Sequence, residues 1–252
     1  MKQLHDRAVF KPIDVKSLKP REKARAMESL IFLVEKKDGR IKARTCANGS
    51  IQRKWMEKEE TTSPTAKTEA ILLTAVIDSK EGRDVATVDI PNAFVQTDIP
   101  DTDEKIIMKI KGAMVDMLVE IEPEIYRDHV VYENGSKVLY VQVLKAIYGM
   151  LQSAMLFYKK LEKDLIEDGF IINPYDPCVA NKMVNGKQLT VTWHVNDLKC
   201  SHVDPKVLDA HIKWLEDKYG DENIGHVKAH RGKRHNYLGM TLDYSQPGQV
   251  KV

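Results

Sequence analysis

Alternating hydrophobic and polar positions predict most of the strands of this chain. Residues 28–46 have the pattern of a β-hairpin, in which two apolar runs flank the turn signal Lys37-Asp38-Gly39. A second hairpin is predicted around Asn185-Gly186, because Asn-Gly favours the tight turn of a two-residue loop. A last hairpin is expected from residues 237–240 and 249–252. The remaining predicted strands, with the two that flank Asn185-Gly186, are residues 84–90, 105–110, 137–144, 178–184 and 188–195.

Apolar residues at helical spacing predict three helices among these strands. One begins at Ser63-Pro64, where serine is a good N-cap and proline a good first residue. A long helix follows Gly149 and ends near Gly169, and another runs from Asp204-Pro205 to Gly220. Helices interleaved with hairpins predict an α+β fold with an antiparallel sheet flanked by helices.

The composition is that of a globular protein. Hydrophobic residues make up 42% and charged residues 30% of the 252 positions. No apolar run reaches the roughly 18 residues that indicate a membrane span, and the N-terminus does not resemble a secretory signal. No linker composition divides the chain, so we expect a single domain over residues 1–252.

The cysteines and the charges limit the classes of site further. Cys46, Cys178 and Cys200 form no Cys-x-x-Cys pair, which argues against a zinc site or a disulfide framework and indicates a reducing compartment. We therefore expect an intracellular protein, with cytoplasm, nucleus and particle all open. The net charge of +2 favours no strongly charged partner. Two basic runs, residues 36–44 and 226–235, are typical of either solvated surface or phosphate contact.

Two acidic strand ends are the candidate chemical site. One strand delivers Asp89, and Pro91-Asn92 then predicts a turn that leaves the carboxylate at the strand's end. Asn196-Asp197 interrupts two further strand-like runs, and a two-residue turn there would project Asp197 from the tip. Two carboxylates on adjacent strand tips suit Mg²⁺, which prefers oxygen ligands, and two such ions can promote a phosphoryl displacement. Taken singly, each segment also fits an ordinary cap or turn.

Five sequence blocks in order resemble the copia-type retrotransposon reverse transcriptases. The resemblance spans roughly residues 30–250, and the order of the blocks makes chance agreement improbable. The blocks are residues 42–49 with 63–67, Asp89 to Phe94 (family pattern Asp-x-x-Asn-Ala-Phe), residues 144–152 with Phe157-Tyr158, His194-Val195-Asn196-Asp197 at the Tyr-Val-Asp-Asp tetrad, and Tyr237 to Met240.

This resemblance implies a polymerase of right-hand architecture. It assigns residues 1–84 mainly to the fingers and residues 85–252 mainly to the palm, and we find no segment that resembles a thumb. The implied reaction is RNA-directed DNA synthesis, with transfer of a nucleotide to a primer 3′-hydroxyl. The implied partners are an RNA or DNA template with its primer, deoxynucleoside triphosphates and other parts of a retrotransposon polyprotein, without a membrane.

The resemblance also implies roles for individual residues. Two Mg²⁺ ions, with Mn²⁺ as a substitute, would be held by Asp89, Asp197 and the backbone carbonyl of Ile90. Lys228 or Lys233 is a candidate proton donor to pyrophosphate, although a surface role fits either lysine. The residues expected to bind the nucleotide are Lys42, Arg44, Ile90, Phe94, Tyr148, Gly149 and Gln152, and those expected near the primer are Tyr237, Leu238, Gly239 and Met240.

Two positions depart from the tetrad of this family. His194 replaces a tyrosine, and both side chains are planar with a polar tip. Asn196 replaces the first aspartate, which removes a negative charge from a site expected to hold two dications, so we expect impaired catalysis. An alternative is an inactive, polymerase-derived module that binds nucleic acid or protein. A third hypothesis, an unrelated α+β domain, predicts that Asp89 and Asp197 lie far apart.

Overall fold

The computed structural model of the protein describes residues 1–35, 39–100, 104–222 and 224–252, and it describes only the backbone of Lys42. The described chain mixes helices with strands, which confirms the α+β class. It divides into two compact units: unit 1 comprises Met1–Thr62 and Phe94–Leu156, and unit 2 comprises Ser63–Ala93 and Phe157–Val252. Each unit is assembled from two segments of chain, whereas the predicted boundary between fingers and palm is a single cut. That boundary stays a prediction.

The secondary structure is as follows. The strands are β1 (Phe10–Pro12), β2 (Met27–Glu35), β3 (Ile41–Ala47), β4 (Asp84–Asp89), β5 (Ile107–Lys111), β6 (Val130–Glu133), β7 (Ser136–Val143), β8 (Ile171–Ile172), β9 (Val179–Val184), β10 (Lys187–His194), β11 (Asp197–His202), β12 (Lys228–Arg231), β13 (Arg234–Tyr237) and β14 (Met240–Asp243). The α-helices are α1 (Lys2–Asp6), α2 (Pro20–Arg25), α3 (Lys58–Thr61), α4 (Thr68–Lys80), α5 (Ala113–Ile121), α6 (Pro123–Tyr126), α7 (Ser153–Glu167) and α8 (Pro205–Tyr219). Short 3-10 helices cover Val15–Ser17, Gly49–Lys54, Ala93–Gln96 and Arg127–His129.

Unit 1 is built on a sheet in the order β1-β7-β5-β2-β3, with β6 paired to β7. Its pairs are antiparallel except that of β2 with β5. The core of this unit is apolar, with Met108, Ile110 and Leu139 of the sheet and Leu118 of α5 fully buried. The predicted hairpin of residues 28–46 is confirmed as the antiparallel pair β2–β3. Lys37 and Asp38 of its predicted turn lie outside the described residues.

Unit 2 is built on an antiparallel sheet in the order β12-β4-β11-β10-β9-β8. The predicted turn at Asn185-Gly186 is confirmed, with φ of +51° and +72° at its two residues. Helix α8 begins as predicted, because the carboxylate of Asp204 accepts a hydrogen bond from the backbone N–H of Lys206. The apolar faces of α7 and α8 are buried, with Leu161 and Leu215 fully enclosed. The sheet therefore presents the ends of β4 and β11 on a packed scaffold.

Helix α4 begins later than predicted. It starts at Thr68 rather than at Ser63-Pro64, with Lys67 as its N-cap. The preceding residues are held by tertiary hydrogen bonds: the backbone N–H of Lys67 donates to Asp176, and that of Ala66 donates to the carbonyl of Trp193. These bonds hold the segment against the sheet in a non-helical conformation, which overrides the local capping preference.

No helix in the described part of the chain has the length and apolar character to cross a lipid bilayer.

A buried histidine in α8 predicts a pH dependence of stability. His211 is 4% exposed and stacks on Trp214 with ring centroids 5.5 Å apart. Burial lowers the pKa of His211 to about 4, so between pH 6.5 and 4 the unfolded chain binds a proton that the folded chain does not. Stability should therefore fall as the pH drops through this window, by up to about 3 kcal/mol. Urea unfolding at pH 7, 6, 5 and 4 measures the loss.

The matched variant for this prediction is His211→Phe, which keeps a planar ring but cannot titrate. Between pH 6.5 and 4 this variant should lose less stability than the unaltered chain, and the difference should be the up to about 3 kcal/mol assigned to His211. An equal loss in both proteins would show that other groups cause the dependence.

Candidate functional site

The two predicted acidic strand ends lie side by side in unit 2. β4 ends at Asp89 and β11 begins at Asp197, and these residues are directly opposed in the antiparallel pair. The prediction of two carboxylates on adjacent strand tips is therefore confirmed. The hypothesis of an unrelated domain, which required Asp89 and Asp197 to lie far apart, is wrong.

Asp89 and Asp197 belong to a row of titratable residues that crosses four strands. Lys228 of β12 is the register partner of Asp89, and His194 of β10 is the register partner of Asp197. Register partners present their side chains on the same face of a sheet. One face of unit 2 thus presents, in order, a cation, two carboxylates and an imidazole.

Left-handed backbone conformations surround the carboxylates. Asn92 follows the end of β4 with φ +48°, Val195 opens the β10–β11 turn with φ +57°, and Leu238 opens the β13–β14 turn with φ +51°. Such conformations are costly for residues other than glycine, most of all for a β-branched one such as Val195. Backbone strain of this kind clusters at functional sites. The side chain of Asn92 supports its own turn by donating to the carbonyl of Ile224 at 2.7 Å.

Asn196 is bonded directly to the first carboxylate. Its Nδ2 donates to Oδ1 of Asp89 at 2.7 Å. The backbone N–H of Ile90 in turn donates to the carbonyl oxygen of Asn196 at 3.1 Å. Both side chains of the first contact are half-buried. The residue at the position of the tetrad's first aspartate is therefore a hydrogen-bond donor to Asp89.

The carboxyl of Asp197 has a raised pKa. Partial burial and the negative charge of Asp89 both disfavour its ionised form, and His194 opposes them. A cation beside this pair would favour the ionised form. The electrostatics of the site thus favour a positively charged ligand.

The hairpin β13–β14 lies against the same strands. Its two-residue turn is Leu238-Gly239, and the buried hydroxyl of Tyr237 donates to the carbonyl oxygens of Thr192 and Asp197 at 3.2 and 3.1 Å. Burial raises the pKa of Tyr237 well above its usual value, so the hydroxyl stays protonated and remains a donor. The four residues predicted to lie near the primer therefore form one tight hairpin that is tied to β11 through Tyr237.

Residues of this hairpin and both aspartates line one cavity of about 270 Å³. Among its lining residues are Asp89, Asp197, Lys228, His230, Tyr237 and Leu238.

The donor set fits a divalent ion only in part. Asp89 and Asp197 offer the oxygen ligands that Mg²⁺ prefers. Asn196 directs an N–H at Asp89 in place of a third carboxylate, and the described residues contain no cluster of three or more side chains of the kinds that hold metal ions. The site therefore suits a cation at the carboxylate pair but lacks the charge for two tightly bound dications.

A second group of predicted residues comes together in unit 1. The guanidinium of Arg44 lies over the ring of Tyr148, 5.3 Å from its centroid, and Phe94 packs against the same ring at 4.8 Å. Arg44 is exposed, while Phe94 and Tyr148 are half-buried. A cation and two rings are thus presented together at the surface of the unit, which suits a ligand with anionic and planar parts.

Gly149 follows Tyr148 and is approached closely by the chain itself. A Cβ at this position would lie 2.0 Å from the carbonyl oxygen of Ala47, and the glycine has φ +90°. The sequence predicts a close approach of nucleic acid at Gly149, and that role stays a prediction. Gln152, also predicted to line the pocket, lies just before α7 and its carbonyl accepts from the N–H of Leu156. The side chain of Lys42 lies outside the described residues.

Sequence reasoning missed a buried charge cluster beside the site. Lys199 and Asp78 are almost completely buried and form an ion pair of 2.5 Å, and Ser201 donates to the other oxygen of Asp78. Arg83 lies 4.0 Å from Asp78 and donates to Thr190. Lys199 is two residues from Asp197 on β11, so both side chains lie on one face. The polar residues Lys199 and Ser201, alternating within an apolar strand, were the available signal.

The sequence comparisons agree with this arrangement. The family model for reverse transcriptases (RNA-dependent DNA polymerases) matches residues 18–243. The protein therefore belongs to the reverse transcriptase family, a family that generally uses divalent metal ions, and the resemblance of its ordered sequence blocks is confirmed. Among curated proteins it is similar to the retrovirus-related Pol polyprotein from transposon RE1 of Arabidopsis thaliana, with 25% identity over 203 residues. This match covers 80% of the chain and 12% of that polyprotein.

Proposed function

We propose that the chain is the RNA-directed DNA polymerase region of a copia-type retrotransposon Pol polyprotein, with catalysis impaired by Asn196. The observation that carries the proposal is the direct pairing of Asp89 with Asp197 at the ends of β4 and β11. These two residues occupy the catalytic positions of sequence blocks that occur in the family's order. The reaction is transfer of a deoxynucleotide from its triphosphate to a primer 3′-hydroxyl, with release of pyrophosphate.

In this proposal the carboxylates of Asp89 and Asp197, with the backbone carbonyl of Ile90, would hold Mg²⁺, for which Mn²⁺ could substitute. The ions would activate the attacking hydroxyl and neutralise charge on the transferring phosphoryl group. Lys228 lies beside Asp89 in the row and lines the same cavity, so its charge suits an anionic leaving group. The hairpin of Tyr237 to Met240 would hold the primer end near the carboxylates.

The cluster in unit 1 supports a nucleotide-binding role. Arg44, together with Lys42 of the same strand, would bind the triphosphate, since paired cations suit a polyanion. Phe94 would lie under the sugar and exclude a ribose 2′-hydroxyl, while Tyr148, Gly149 and Gln152 would line the nucleotide and template pocket. In a right-hand polymerase the antiparallel sheet of unit 2 corresponds to the palm, and the β2–β3 hairpin belongs to the fingers.

The partners follow from the same assignment. They are an RNA or DNA template with its primer, deoxynucleoside triphosphates and other parts of the polyprotein. The second candidate function is a binding module that keeps nucleic-acid or protein contacts without catalysis. The hydrogen bond from Asn196 to Asp89 favours that alternative, because it engages a carboxylate that a metal ion would use.

Primer extension on an RNA template tests the proposal. With Mg²⁺ or Mn²⁺ present, Asn196→Asp should extend a primer at least about a hundredfold faster than the unaltered chain, because restored charge stabilises the metal-bound transition state by several kcal/mol. Adding Asp89→Ala to Asn196→Asp should abolish this extension. Asp98→Ala, which removes a carboxylate that is 84% exposed, should leave it unchanged.

Two outcomes would contradict the polymerase assignment. Extension that survives Asp89→Ala would place the chemistry elsewhere. If both folded proteins bind template in a salt-sensitive manner and neither extends a primer, the binding module becomes the better description.

A further inference from the structure

The contact between Asn196 and Asp89 has a consequence for stability that is separate from catalysis. We infer that the Asn196 amide takes the place of a divalent cation at Asp89, so that the folded chain needs no metal ion to stabilise its carboxylate pair. The geometry points to this substitution because the amide nitrogen lies 2.7 Å from Oδ1 of Asp89. The opposite orientation would set an amide oxygen against a carboxylate oxygen, which is repulsive.

The surroundings of Asp89 show why such a partner is needed. Asp89 is half-buried and faces the like-charged Asp197 in direct register. A partly buried carboxylate is costly unless it is hydrogen-bonded or paired. Among the described residues, the side chain that donates to Asp89 is Asn196. Lys228 adds positive charge on the other side of Asp89, and it does so whichever residue occupies position 196.

Aspartate at position 196 would destabilise the carboxylate pair that Asn196 stabilises. It has nearly the same shape as asparagine, so the turn between β10 and β11 can be kept. It cannot donate to Asp89 when ionised, and it adds a third carboxylate to the cluster. Charge repulsion then destabilises the fold until a cation binds, and the same extra charge strengthens cation binding. A ligand that binds only the folded state raises the temperature of unfolding.

Thermal unfolding with Mn²⁺ or with a chelator tests the inference directly. In chelator, Asn196→Asp should unfold about 5 °C or more below the unaltered chain. Addition of Mn²⁺ should raise the unfolding temperature of Asn196→Asp by most of that difference and should raise the unfolding temperature of the unaltered chain much less. If Asn196→Asp is unfolded in chelator, the same comparison is made by refolding with and without Mn²⁺, and recovery only with Mn²⁺ supports the inference.

Two control variants separate the loss of a donor from the gain of a charge. Asn196→Ala removes the amide without adding a carboxylate, so it should be less stable than the unaltered chain in chelator, and Mn²⁺ should raise its unfolding temperature by less than that of Asn196→Asp. Asn181→Asp makes the same charge change on β9 of the same sheet, where the Asn181 Oδ1 accepts hydrogen bonds from Gln188 and Thr190. Aspartate there can keep both bonds, so its unfolding temperature should not respond to Mn²⁺.

The inference would be overturned by a response to Mn²⁺ that is equal in the unaltered chain and in Asn196→Asp, or by failure of Asn196→Asp to fold in either condition. The inference rests on the proposed function for the identity of the metal ion, but its test measures the unfolding temperature, whereas the proposed function is tested by primer extension. An Asn196→Asp protein that gains stability from Mn²⁺ but extends no primer would support the inference and contradict the proposed function. An Asn196→Asp protein that extends a primer but gains no stability from Mn²⁺ would support the proposed function and contradict the inference.

Discussion

Replacing Asp78 with asparagine is expected to destabilise unit 2 by about 3–5 kcal/mol, because it leaves the ammonium of Lys199 buried without its counter-charge. Both side chains of the pair are fully buried, so water cannot replace the lost partner. Unfolding in urea, followed by the fluorescence of Trp193 and Trp214 in a Trp55→Phe background, reports on unit 2. Lys199→Met should cost less than Asp78→Asn, since Arg83 and Ser201 remain close to Asp78.

The double variant Asp78→Asn, Lys199→Met distinguishes a buried charge from ordinary packing. It removes both charges together, so it should recover at least half of the stability lost by Asp78→Asn alone. The exposed pair of Lys213 and Asp217 on α8 is the matched control, and Asp217→Asn should leave the free energy of unfolding nearly unchanged. Losses that simply add in the double variant would show that the ion pair is not the source of the effect.

Gly149→Ala is expected to destabilise unit 1 by more than about 3 kcal/mol, through two effects that act together. A left-handed conformation costs alanine about 1–2 kcal/mol, and the new Cβ would meet the carbonyl oxygen of Ala47 at 2.0 Å. The backbone cannot yield easily there, because the N–H of Ala47 donates to the carbonyl of Tyr148 at 2.8 Å. Hydrogen exchange of the amides of β5 and β7 measures the loss in unit 1.

Gly135→Ala is the matched control for this prediction. Gly135 also has a positive φ, of +76°, but a Cβ there would meet no atom within 4 Å. Its replacement should therefore cost only the conformational part, about 1–2 kcal/mol. Equal losses of stability in the two glycine variants would show that the close approach of Ala47 does not contribute to the destabilisation.

The sequence was most informative where a local pattern decides the structure. The turn at Asn185-Gly186 and the start of α8 at Asp204-Pro205 occur where predicted, since turn and cap preferences act over a few residues. The turn before Asp197 consists of Val195-Asn196, one residue earlier than the predicted Asn196-Asp197. These turns were sufficient to predict Asp197 at a strand tip. That Asp89 lies opposite it depended on the order of the family's sequence blocks.

Features set by distant partners could not be predicted from the sequence. The late start of α4 depends on Asp176, which accepts from the N–H of Lys67. Pairing of β12 with β4 places Lys228 beside Asp89, although the basic run that contains it resembles solvated surface. The buried partner of Lys199 is 121 residues away in the chain, so no local pattern specifies it.

The interleaved segments of the two units have a consequence for folding during synthesis. Asp89 and Asn196 are separated by 107 residues, and the first segment of unit 2, Ser63–Ala93, is synthesised before the second segment of unit 1. β4 therefore leaves the ribosome long before β11 and β12, the strands on its two sides, and the backbone N–H and C=O groups along both of its edges stay unpaired meanwhile. Non-local pairing of this kind is slow and exposes the chain to aggregation. We expect soluble yield to depend on the rate of translation and on chaperones that shield β4.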